Sequence, residues 1–166
     1  MDNFIFHNPT RLIFGKGMIA QLSQQIPADK RIMITFGGGR VKTNGGYEQV
    51  IQALEGRDYT EFWGIESNPD ISTLKKAIES GKEKNIDFLL AVGGGSVIDG
   101  TKLISAGIPY NGDAWELVKK GSAQNTIPLG TVLTIAATGS EMNNGAVFSC
   151  RETHEKYPIF SSHPVF

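Results

Sequence analysis

The chain predicts a doubly wound α/β domain built on a mainly parallel sheet, Rossmann-like in layout. Apolar, β-branched runs alternate along it with segments of helical spacing, the pattern of strands joined by crossover helices. The run 86–92 is almost wholly apolar, as a strand covered by helices on both faces should be. Two of the runs lead at once into glycine triplets, Gly37-Gly38-Gly39 and Gly93-Gly94-Gly95, which suit tight strand-to-helix turns. The 166 residues fit one domain with a sizeable core, residues 1–166.

Taken in order, 4–14 reads as two short strands broken at Asn8-Pro9 and ended by Gly15-Lys16-Gly17. Ile19, Leu22 and Ile26 fall at helical spacing, and Pro27 closes that helix. Residues 32–36 form a strand. Tyr47, Val50, Ile51 and Leu54 occupy one helical face at i, i+3, i+4 and i+7. Residues 59–63 form a further strand. Asn68-Pro69 should open the next helix, with Asn68 as N-cap, Pro69 in the first position, and Ile71, Leu74 and Ile78 turned inward. The strand 86–92 and the glycine triplet precede a helix from Ser96 through Ile104. Asp113-Ala114-Trp115-Glu116 has capping-box spacing and starts a short helix. Residues 127–135 are a strand, Thr138-Gly139-Ser140 a turn, and 145–151 with 157–161 a hairpin around Thr153-His154-Glu155. Pro164-Val165-Phe166 reads like the beginning of another strand, so the chain looks truncated.

Composition removes several functions. The net charge is −1 and the basic residues are scattered, which argues against nucleic-acid binding. Lys75-Lys76 and Lys119-Lys120 read as solvated helix faces. A lone cysteine, Cys150, excludes an internal disulfide and favours a reducing, cytoplasmic setting, with Cys150 as a half-buried strand residue. No secretory leader is visible, and no apolar run approaches the roughly 18 residues that a membrane helix needs.

The chemistry concentrates at the glycine turns. Glycines let backbone N–H groups approach a phosphate, and a helix N-terminus adds free donors and a positive dipole end. Ser96 either caps its helix or meets a phosphate oxygen. Asp99 either accepts a ligand hydrogen bond or partners Ser96 in a capping box. The pattern is neither G-x-G-x-x-G nor a Walker loop. Two such turns at one sheet edge can hold two parts of a dinucleotide, because ligands of doubly wound sheets bind beyond the strands' carboxyl ends. Arg40 and Lys42 either bind a 2′-phosphate or are simply exposed. Gly39, where an acidic residue would bind a ribose diol, tilts the choice towards NADP, with NAD as the alternative. Thr134, Thr138 and Ser140 offer small hydroxyls to line a cleft, or form an ordinary turn. His7, His154 and His163 form no metal-ligand pattern, and no nucleophile–base pair stands out, so neither catalytic nor metal residues are expected here.

Asn8-Pro9-Thr10, Phe14-Gly15-Lys16-Gly17, Gly37-Gly38-Gly39, Asn68-Pro69, Gly93-Gly94-Gly95-Ser96-x-x-Asp99 and Ala137-Thr138-Gly139-Ser140-Glu141, in that order and spacing, resemble iron-containing (group III) alcohol dehydrogenases. The similarity is greatest to the butanol dehydrogenase and NADPH-dependent aldehyde reductase branch and covers essentially the whole chain. The resemblance implies a cofactor-binding N-terminal domain that exchanges hydride between NADP(H) and a small alcohol or aldehyde. It places Gly38 and Arg40 around the adenosine ribose and its 2′-phosphate, where the branch often carries Ser at position 40. Asn68 falls on the adenosine side, and Gly94, Gly95 and Ser96 at the pyrophosphate. Asp99 lies near the cofactor, Thr134, Thr138, Ser140 and Val147 on the cleft wall, and Lys156 at the ribose next to the nicotinamide. The family's Fe²⁺ or Zn²⁺ ligands belong to a following helical domain outside this chain, so the chain alone should show little turnover. Members commonly dimerise, which makes a homodimer the expectation, with the N-terminal strands as a pairing edge. A non-catalytic nucleotide-binding module is one alternative. A lyase resembling dehydroquinate synthases is another, against which the Ala-Thr-Gly-Ser-Glu segment and Arg40 speak.

Overall fold

The computed structural model describes residues 3, 5 and 8–160. Four parallel strands make the main sheet: β1 (Ile32–Phe36), β2 (Tyr59–Phe62), β3 (Phe88–Gly93) and β4 (Leu129–Leu133), in the order β2-β1-β3-β4. The central pair is buried throughout, whereas β2 and β4 are half-buried, as edge strands are. The chain thus meets the expected doubly wound α/β class. Strand order reverses between β1 and β3, since the chain leaves β1 for one side of the sheet and then crosses to the other.

Side-chain alternation on β1 and β3 divides the core into two layers. Met33, Leu89 and Ala91 face α4 (Ile71–Glu83) and α5 (Gly95–Gly107). Ile32, Ile34, Phe36, Leu90 and Val92 face α3 (Gly46–Ala53) and the helical stretch that ends in α1 (Leu22–Gln25). Each fully buried side chain of this size contributes roughly 1.5–3 kcal/mol of transfer free energy. Thr35 of β1 and Thr101 of α5 interrupt the apolar packing with a buried hydroxyl pair at 2.6 Å, and the Thr101 hydroxyl is also within 2.7 Å of the Val97 carbonyl.

A hairpin of β5 (Gly145–Cys150) and β6 (Glu155–Phe160) packs its inner residues Ala146, Phe148 and Cys150 into the α4–α5 layer. Short helices α2 (Arg40–Thr43) and α6 (Ala114–Lys120) complete the fold. Asp113 caps α6 by accepting the Trp115 amide at 2.7 Å, and Lys75 pairs with its other oxygen at 2.7 Å. No helix among the described residues is long and apolar enough to cross a membrane.

Several expectations need correction. Residues 8–14 form no strand, because nothing described pairs with them. Asn8 instead turns the chain by accepting the Thr10 amide and ties it to the Met142 carbonyl at 2.8 Å. Asp70, not Asn68, caps α4. Asn68 sits at φ 55, outside the extended region an N-cap needs, and Pro69 precedes the helix. Cys150 is buried rather than half-buried, because even positions of β5 face the helices. Glu155 belongs to β6, so the hairpin turn is 151–154. Residues 164–166 lie outside the described residues.

Candidate functional site

Parallel strands bring their carboxyl ends to one edge. There Phe36 pairs with Val92, and Gly93 with Leu133. The two glycine turns therefore leave the sheet side by side, at the reversal of strand order. Val97 lies between them: a Cβ on Gly37 would stand 3.3 Å from its Cγ2, and one on Gly93 2.5 Å from the same atom. This crowding requires glycine at position 93. Gly39, at φ 93, occupies the left-handed region that only glycine adopts freely, and leads directly into α2.

Gly94 has extended backbone, and α5 starts at Gly95 without a side-chain cap. Ser96 lies inside the helix, and neither it nor Asp99 builds the capping box considered from sequence. The first N–H groups of α5 are consequently left without a side-chain acceptor. A Cβ added at Gly38, Gly39 or Gly94 would meet nothing within 4 Å. The turns thus form an open cradle of bare backbone around a positive helix end, which suits a phosphate-bearing ligand.

The segment after β4 forms the adjoining wall. The Thr134 amide donates to the Gly93 carbonyl at 3.0 Å. Thr138 and Ser140 hydroxyls lie 3.1 Å apart, and a Cβ on Gly95 would stand 3.0 and 3.2 Å from their oxygens. Asp99 accepts the Val147 amide at 3.1 Å, joining α5 to the exposed face of β5. Burial pushes the Asp99 carboxyl up, while the Ser140 hydroxyl, the Val147 amide and the Lys102 charge pull the other way without cancelling it. Lys156 donates to Asn68 at 2.8 Å, which brings two more of the expected site residues together.

Arg40 is exposed at the start of α2 and forms no ion pair among the described residues. Lys42 behaves differently. Its ammonium lies 4.2 Å from the centre of the Trp63 ring and 5.3 Å from that of Tyr47. Trp63 stacks on Phe36 at 4.1 Å, and Glu61 accepts hydrogen bonds from both the Tyr47 hydroxyl and the Trp63 indole. The aromatic faces hold this cation beside the first glycine turn.

Sequence spacing missed three groups. Asp70 caps α4 through the Ser72 amide and hydroxyl and accepts the Arg151 amide on its other oxygen at 2.9 Å. Lys102, fully buried in α5, donates to the Asn143 and Gly145 carbonyls at 2.8 and 2.7 Å. A charged residue inside so apolar a helix was the available signal for Lys102. Asn143, its partner, sat in an unremarkable loop. Among the described residues no group of three or more His, Cys, Asp or Glu side chains is placed to hold a metal ion.

The chain matches the family model of iron-containing alcohol dehydrogenases over residues 9–166. It is 51% identical over 172 aligned positions to the NADPH-dependent aldehyde reductase YqhD of Escherichia coli, covering 100% of this chain and 44% of that protein. It is 52% identical over 161 positions to the probable NADH-dependent butanol dehydrogenase 1 of Bacillus subtilis, covering 95% of this chain and 42% of the other. The crystal structure of E. coli YqhD matches with a TM-score of 0.94 at 50% identity, over 99% of this chain and 43% of that one. The chain spans less than half the length of these relatives. Both of these relatives are named for a reductase or dehydrogenase activity. By sequence and by fold, the chain belongs to the iron-containing alcohol dehydrogenase family.

Proposed function

We propose that the crevice beyond β1 and β3 binds a nicotinamide dinucleotide, NADP in preference to NAD, as the cofactor half of an alcohol dehydrogenase or aldehyde reductase. The observation that carries this proposal is the pairing of two open glycine turns around Val97 where the strand order reverses, with the uncapped start of α5 between them. The backbone N–H groups of Gly95 and Ser96 receive the pyrophosphate, and Gly94 leaves room for it. Gly37, Gly38 and Gly39 pass beneath the adenosine ribose, and Arg40 meets the 2′-phosphate as a guanidinium fork. Asn68 stands on the adenosine side, Lys156 reaches the second ribose, and Thr134, Thr138, Ser140 and Val147 line the wall, held to α5 through Asp99. Bound there, the dinucleotide supplies hydride exchange with the carbon of a small alcohol or aldehyde.

Fe²⁺ or Zn²⁺ belongs, in this proposal, to the part of the relatives' length that this chain does not cover, so the chain alone binds cofactor without appreciable turnover. A homodimer and a cytoplasmic setting are part of the same proposal. The exposed Leu12 (68%) and Phe14 (93%) of the N-terminal arm supply apolar surface for self-association, which light scattering measures.

The test is calorimetric titration of the chain with NADPH and, separately, NADH. Saturable binding with NADPH tighter, lost in Gly94→Val while the melting transition stays put, is the expected result. Position 94 has allowed backbone angles and no neighbour to clash with, so this variant changes the crevice and not the fold. Absence of binding by either nucleotide up to millimolar concentration would overturn the proposal for this chain.

A further inference from the structure

Lys102 sits mid-way along α5 with 2% of its surface exposed, among residues that are apolar or small. A charge so placed persists only when its donors are satisfied. Its ammonium donates to the Asn143 carbonyl at 2.8 Å, the Asn143 side-chain oxygen at 3.2 Å and the Gly145 carbonyl at 2.7 Å. The same Asn143 oxygen accepts the Gly145 amide at 2.9 Å, closing a tight turn. Three residues earlier, on the same face of α5, Asp99 takes the Val147 amide. Both ends of the turn are thus fastened to one helix, and its flanks are Ser140 and Val147, the wall of the crevice.

We propose that Lys102 is a positioning residue for the dinucleotide crevice: its ammonium holds the 143–145 turn against α5 and thereby sets Ser140 and Val147 relative to the open start of that helix. This rests on the dinucleotide proposal for what the crevice binds, but the tether itself stands on the contacts above. Lys102 touches no reacting atom. It acts through the turn, which no apolar side chain of similar length can hold, because the Asn143 and Gly145 carbonyls would then lose their charged donor.

The tether is also pH-sensitive. Burial lowers the Lys102 pKa to about 8, against the opposing charges of Asp99 on its own helix and Glu141 in the facing turn. Leu117 of α6, Ala146 and Phe148 of β5 and Ile159 of β6, which line a cavity together with Lys102, carry no titratable group. The charged, tethering form is therefore present below about pH 8 and lost above it.

The test compares the wild-type chain with Lys102→Met and Lys102→Arg. Amide exchange protection at 145–147, corrected for intrinsic rates, is read without nucleotide at about pH 6 and about pH 9, alongside the NADPH dissociation constant. Lys102→Met should keep a cooperative melting transition, lose protection at 145–147 at both pH values and weaken NADPH by about tenfold. The wild type should lose the same protection between the two pH values, and Lys102→Arg, charged at both, should retain it. Protection in Lys102→Met within about twofold of wild type would overturn the proposal, as would wild-type protection that is flat across this range. The wild-type pH profile decides the matter even if Lys102→Met fails to fold. A wild-type chain that binds no NADPH would overturn the cofactor assignment, while the exchange measurements still decide whether Lys102 sets the turn.

Discussion

Asp70 accepts the amide of Arg151 at 2.9 Å with one carboxylate oxygen while the other caps α4 through Ser72, so one buried side chain starts a helix and anchors the β5–β6 hairpin. Ser149 adds a backbone bond to Pro69 at 2.9 Å in the same strip. Replacing Asp70 by Asn keeps an acceptor for the cap but turns an NH₂ group towards the Arg151 amide, so two donors face each other. The expected cost is about 1–3 kcal/mol, read by urea denaturation, with selective loss of exchange protection at the Arg151 amide.

The same carboxylate predicts an acid response. Burial pushes its pKa up, but the Ser72 hydroxyl and amide, the Arg151 amide and the Arg151 charge outweigh it, and the net shift is downward. A carboxyl depressed in the folded state stabilises fully above its unfolded value, about 3.9, and loses that contribution as pH falls through the lower folded value. The stability gap between wild type and Asp70→Asn should therefore be constant near neutrality and narrow on acidification below about pH 4. A gap unchanged by acid would contradict the assigned contacts.

Gly94 and Gly95 are neighbours with opposite surroundings. A methyl at 94 meets open space; one at 95 presses on the Thr138 and Ser140 hydroxyls. Gly94→Ala should leave the amide resonances of 138–140 in place, and Gly95→Ala should shift them, with a stability change of either sign within about 1 kcal/mol because helix propensity offsets the crowding. Equal perturbation of 138–140 by both substitutions would mean that the helix start and the wall are not arranged as described.

Thr35 and Thr101 should be energetically coupled. Thr101→Val leaves the buried Thr35 hydroxyl with only the Leu90 carbonyl, at 3.5 Å. The single substitution should cost about 1–3 kcal/mol, and the double Thr35→Val, Thr101→Val variant less than the two singles together. Additive costs in a double-mutant cycle would show that the hydroxyls do not share a bond.

Arg40 and Lys42 are both exposed cations at the first glycine turn, but the Lys42 ammonium lies over the Trp63 ring while Arg40 forms no ion pair among the described residues. Arg40→Ser should weaken NADPH by roughly tenfold while leaving NADH nearly unchanged, because only the 2′-phosphate differs between them. Equal weakening of both nucleotides would remove Arg40 from phosphate selection.

Periodicity and turn chemistry were sufficient for the frame. The run 32–36 and the helix face of Val50, Ile51 and Leu54 stand where their spacing put them, and the two glycine triplets end β1 and β3, because burial of a 2.0- or 3.6-residue pattern is a local property of the chain. The acidic cap at Asp113 was legible for the same reason. The cap of α4 was not: both Asn68 and Asp70 are good caps by type, but Asp70 has extended backbone and also accepts the Arg151 amide 81 positions away, whereas Asn68 sits at φ 55. The strand expected over 8–14 failed because a strand needs a neighbour that sequence spacing does not supply. Asp99 was legible as a polar residue near the helix start, but its partner Val147 lies 48 positions on, and Lys102 meets Asn143 across 41. Spacing along the chain carried the parallel sheet and its glycine turns, whereas the wall of the crevice came from hydrogen bonds between distant segments, whose pairing is settled when α5 and the hairpin pack against each other and exclude water from the groups between them.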